Sequence, residues 1–182
     1  MSDERLRGVV AAGLVIGALL GMAGTFAPSP ELRALAWGAD GTALVLAGAL
    51  LVVHHLREGH ELLAAGFLVF VAGETLIVSA SGMDLAASAP LFAAGAALWA
   101  AGLALVSASP LLPAFVRGTG AIAAVLFAVT AVRIFLGAPL NPLSSPLPFD
   151  AYPFLALTLL GWARSHLRRP ARRAASEGEL QI

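Results

Sequence analysis

Glu74 is the residue whose chemistry is hardest to place. It lies within Glu61–Ser81, ELLAAGFLVFVAGETLIVSAS, a stretch long enough to cross a bilayer and otherwise free of charge after its first residue. An acid at that depth is costly in hydrocarbon, so it requires a partner, a proton or a cavity. The other ionisable residue deep in an apolar stretch is Arg133. Glu74 stands roughly 9 Å from the nearer end of its span and Arg133 roughly 6 Å from the end of its own, at 1.5 Å of rise per residue. If both ends face the same side, the depths match within about 3 Å and an ion pair between helices is expected. Thr130, one helical turn before Arg133, and Ser81, two turns after Glu74, face the same way as their charged neighbours and complete a candidate polar cluster. Two readings stay open: a lock that fixes helix register, and a ligand or proton site.

His54, His55, His60 and His166 form a second constellation, with Glu58 and Glu61 close to three of them. A metal site can be drawn from this set, as can a haem between His54 or His55 and His166. Interfacial imidazoles that meet water or headgroups explain the same residues more simply. The zinc-enzyme spacing H-E-x-x-H does not occur, and there is no Cys, so thiolate metal sites and disulfides are excluded. No cofactor is expected. Asp40 and Asp150 stand where helix starts are expected, and N-capping accounts for them. No nucleophile with its base, Walker loop or dinucleotide fingerprint is present, so no catalytic residue is assigned.

The elements that carry these residues follow from composition. The 182-residue chain is 59% hydrophobic and only 12% charged, with a mean hydropathy of +0.87. A soluble domain is usually about a quarter charged, so an integral membrane protein is indicated. The expected fold is all-α: a polytopic bundle of six transmembrane helices forming one domain over residues 1–173. The spans fall at about 8–27, 40–56, 61–81, 90–108, 115–137 and 149–163. Residues 28–39 and 82–89 read as loops, and residues 174–182 as a polar, disordered tail. A cleavable signal peptide ending near Ala27 is a rival reading of the first span, weakened by Asp3 and Glu4 in the head. Trp99 reads as a packing aromatic.

Gly13, Gly17 and Gly21 share one helix face, as do Ala93, Ala97 and Ala101, and Gly120, Ala124 and Ala128. Small residues at this spacing let helices approach closely. The segment 138–148 places Pro139, Pro142, Pro146 and Pro148 among leucines, a pattern that fits a cover over the mouth of the bundle or a segment on the membrane surface.

All 11 basic residues are Arg. With both termini cytoplasmic, Arg5, Arg7, Arg57, Arg117, Arg164, Arg168, Arg169, Arg172 and Arg173 fall inside, and Arg33 alone falls in an outer loop. This asymmetry sets the expected orientation, in a plasma membrane of bacterial type. Zero net charge gives no reason to expect a nucleic-acid partner. The expected partners are the lipid bilayer and another membrane protein or a second copy of the chain. The leading functional expectation is a non-catalytic membrane protein acting through helix packing or such partners. The alternative is a small transporter or ligand-binding protein using Glu74 and Arg133, followed by a haem or metal redox subunit.

Overall fold

The computed structural model describes residues 3–141 and 149–167. It is all-helical: α1 spans Asp3–Thr25, α2 Pro30–Arg57, α3 Glu61–Ala80, α4 Leu85–Ala108, α5 Ala114–Phe135 and α6 Ala151–Leu167. The first five helices are long and apolar enough to cross a membrane, and α6 is shorter, at 17 residues. The proline-rich positions 142–148, the arginines from Arg168 onward and the tail at 174–182 lie outside the described residues.

Connections of three to five residues between the first five helices force antiparallel neighbours. Each helix packs on the next in sequence, and α6 returns to α1, so the six form a closed ring. Large leucines and valines such as Leu19, Leu35, Leu68, Val125 and Val132 face outward, which suits a lipid surroundings. The middle of the ring is filled by aromatic side chains: Phe67 and Phe70 from α3, Trp99 from α4, Phe127 from α5, and Tyr152 and Trp162 from α6. Their rings touch in a continuous series, from Phe67 through Trp162, Phe70, Trp99 and Phe127 to Tyr152, with centroid separations of 4.9, 5.5, 5.7, 5.1 and 5.7 Å.

Besides α1, which begins at Asp3 instead of near residue 8, helix starts differ from the sequence expectation at two places. Residues 30–39 are helix, not loop. Ser29 is the N-cap, its hydroxyl accepting from the Leu32 amide at 3.3 Å, and Pro30 occupies the first turn, where its missing N–H costs nothing. Likewise α4 begins at Leu85, ahead of Pro90, because Asp84 accepts from the amides of Ala86 and Ala87 at 2.9 and 3.3 Å. The first correction matters most. It moves Asp40 from a helix end to a position three turns inside α2, where it is buried.

Close packing uses glycine, in part as expected. Gly13, Gly17 and Gly21 face α2, and a Cβ at Gly13 would lie 2.9 Å from the Ala43 carbonyl oxygen. The alanine face of α4 does not pack as a unit, since Ala101 is exposed. Instead, Gly66 and Gly73 of α3 meet Gly102 and Gly95 of α4, and a Cβ at Gly73 would come within 2.7 Å of the Gly95 carbonyl oxygen. Two glycines seven residues apart on each helix hold these two backbones in contact.

Candidate functional site

Glu74 lies on the buried stripe of α3, in register with Phe67, Phe70 and Gly73, and is 1% exposed. Its carboxyl points toward α2, where Gly41 leaves the space for it: a Cβ at Gly41 would stand 2.7 Å from Glu74 Oε1. The neighbouring residue on α2 is Asp40, which is 8% exposed and within electrostatic reach of Glu74. Asp40 Oδ2 in turn occupies the space beside Gly21 of α1, 2.9 Å from where a Cβ there would stand. Two glycines therefore make room for two carboxyls. Trp99 sits beside Glu74, and Tyr152 from α6 lies within electrostatic reach of both acids.

The polar atoms of this cluster are not satisfied by one another. Asp40 Oδ1, Glu74 Oε2 and Trp99 Nε1 are all buried without a hydrogen-bond partner. No ion pair is formed among the described residues. Buried polar groups are ordinarily paired, and each exception asks for an explanation.

Above the cluster, at the end of the ring that carries the α1–α2 and α3–α4 connections, lies a cavity of about 230 Å³. Asp40, Trp99 and Tyr152 form part of its lining, with Phe92, Trp37 and Arg33. Trp37 is held by its indole N–H, which donates to the Gly21 carbonyl at 3.3 Å, and the Arg33 guanidinium lies 5.8 Å from the Trp37 ring centre. Leu140, from the start of the α5–α6 connection, also lines this space. The arrangement is chemically simple: the Asp40 carboxyl stands on an aromatic wall of the cavity, and Glu74, fully buried, stands behind it beside Trp99.

Arg133 is not part of it. Its side chain is exposed on the flank of α5, because the buried stripe of that helix runs through Ala123, Phe127, Thr130 and Ala131. In the ring α4 lies between α3 and α5, so the expected Glu74–Arg133 pair is not brought together. Thr130 is buried, and its hydroxyl donates to the Leu126 carbonyl of its own helix at 2.8 Å. Ser81 does reach the cavity wall, with its hydroxyl donating to Val78 at 2.8 Å. Sequence reasoning missed Asp40 as a site residue. The signal that could have found it was the Ser-Pro-Glu sequence at 29–31, a helix start ten residues earlier than expected.

The histidines converge at the opposite end of the ring. The His54 ring lies 5.0 Å from His55 and 4.9 Å from His166, and His55 lies 5.7 Å from His60, centre to centre. His55 stacks on Phe67 at 5.4 Å, so the aromatic series of the core runs from this cluster to Tyr152 at the carboxyl site. Among the described residues, no three His, Asp or Glu side chains are placed to hold a metal ion.

No family model, curated protein or solved structure matches the chain.

Proposed function

We propose that the chain crosses the membrane six times with both termini cytoplasmic, and that it binds a small cation from the outer side at Asp40 and Glu74. It is a binding protein of the transporter type, not a purely structural bundle. One observation carries the reading: two buried carboxyls lie together with unpartnered oxygens, and no cation touches them among the described residues. A structural lock would give each acid a cation or a full set of hydrogen bonds, because a buried polar group left unsatisfied lowers stability. Intramembrane acids left in this state mark solute or proton pathways.

The cavity narrows the ligand. Its volume of about 230 Å³ is below the ~300 Å³ at which pockets for drug-sized molecules begin. A compact ammonium group suits the walls. It offers donors to Asp40 on the cavity wall and to Glu74 behind it, and the faces of Trp99, Tyr152 and Phe92 attract positive charge. The same pair can exchange protons, so cation binding is coupled to proton release. The Arg asymmetry supports placing the cavity outside. At 1.5 Å per residue α6 is about 25 Å long, somewhat short of a ~30 Å hydrocarbon layer, and its seat between α5 and α1 gives it the role of a sixth span.

Tryptophan fluorescence tests the reading, since Trp99 lies against Glu74. Purified protein in lipid nanodiscs is titrated with ethylammonium and with tetramethylammonium. Saturable quenching by ethylammonium, absent in Glu74→Gln, is expected. Tetramethylammonium, which has no N–H to donate, binds at least about tenfold more weakly. Equal response of the wild type and Glu74→Gln would remove the proposal.

A further inference from the structure

The cavity at the histidine end is the larger of the two, about 380 Å³. Three helices and one connection contribute to its polar lining: Arg7 from α1, His54 and His55 from α2, Glu58 and His60 from the α2–α3 turn, and Ser165 and His166 from α6. Three imidazole nitrogens there, His55 Nδ1, His60 Nδ1 and His166 Nε2, are buried and have no hydrogen-bond partner. The four rings touch in series, His166 to His54 to His55 to His60. Ser165 is engaged with its own helix, donating to the Gly161 carbonyl at 2.8 Å, and its oxygen remains free to accept.

A metal ion would use these nitrogens as lone-pair donors, but no three ligands converge for one among the described residues. An oxyanion uses them in the opposite sense, as N–H donors, beside the fixed positive charge of Arg7. The geometry points to a phosphate-binding site at the cytoplasmic edge, formed by Arg7 with His54, His55, His60 and His166. The phosphate comes either from a lipid headgroup at the same level or from a free phosphate in the cytoplasm. Glu58, on the rim, is the carboxylate among the lining residues and opposes the anion. Its exposure keeps it in water, where that opposition is weak.

Calorimetry on the full-length protein separates the two sources. In nanodiscs of phosphatidylcholine alone, titration with inorganic phosphate reads the soluble anion. In nanodiscs containing phosphatidic acid, a rise in thermal midpoint over the phosphatidylcholine value reads the lipid. At least one arm is expected to respond, and Arg7→Gln should weaken that response about tenfold, the usual loss when one charge-assisted contact is removed. His166→Gln should do the same, and Glu58→Gln should strengthen it. Arg7→Gln keeps the test decisive if His166→Gln fails to fold. Response in neither arm would overturn the proposal, as would a response unchanged by Arg7→Gln, or zinc binding at one equivalent that is lost with His55→Gln.

Discussion

At the level of single residues, the unusual feature is that Asp40 and Glu74 are buried with Oδ1 and Oε2 unpartnered and with no ion pair among the described residues. If they were locks, replacing either would destabilise the fold. As an uncompensated pair, they are expected to behave in the opposite way. Asp40→Asn and Glu74→Gln should leave the thermal midpoint in detergent level or raise it, because no ion pair among the described residues is lost with either acid. A fall in midpoint for both variants would restore the lock. Gly41 gives a steric counterpart. A Cβ there meets Glu74 Oε1 at 2.7 Å and Val78 Cγ2 more closely still, so Gly41→Ala should displace the carboxyl and abolish cation-dependent quenching, with a stability cost of about 1–3 kcal/mol. Equal quenching in Gly41→Ala would show that the acid does not sit against α2. Of these residues only Glu74 was legible from the sequence, because an acid inside an apolar run is visible without a structure. Its neighbour was not, because adjacency between Asp40 and Glu74 depends on where α2 begins.

At the level of elements, helix starts and glycine contacts decide what faces what. The Ser29 cap and Pro30 begin α2 early, and this carries Asp40 inward. Ser29→Ala should cost about 1 kcal/mol, measured as a lowered midpoint, with the α2 start fraying in hydrogen exchange. A loss confined to residues 30–33, with the Asp40 region still protected, is the expected pattern. Protection unchanged throughout would mean that the cap contributes nothing. The four-residue glycine face of α1 was legible because its spacing repeats. The Gly66–Gly73 and Gly95–Gly102 pairs were not, since seven-residue spacing is easily lost among 19 glycines. Arg133 failed for a related reason. Depth along a helix can be counted from sequence, but rotation about its axis and the order of helices around a ring cannot, and α4 stands between the two charges.

For the whole molecule, the ring has two chemically different ends joined by an aromatic core. Asp40 lines the cavity at one end and the histidines the cavity at the other, and between them Phe67, Trp162, Phe70 and Trp99 are in ring contact. The expected orientation can be tested directly because the chain has no Cys. A single cysteine at Gly82, where nothing lies within 4 Å, should react with an impermeant maleimide on intact cells. One at Glu58 should react only after the membrane is opened. The reverse pattern would invert the orientation and place the carboxyl cavity inside.

The central claim is that Asp40 and Glu74 form a cation site, and isothermal titration of ethylammonium into the protein in nanodiscs tests it most directly. A cation site there gives a saturable one-site heat, with proton release that scales with the ionisation enthalpy of the buffer. Both the heat and the release should vanish in the Asp40→Asn, Glu74→Gln double variant, which keeps the wild-type thermal midpoint or exceeds it. A wild type that gives no heat, or a double variant that binds as the wild type does, would contradict it.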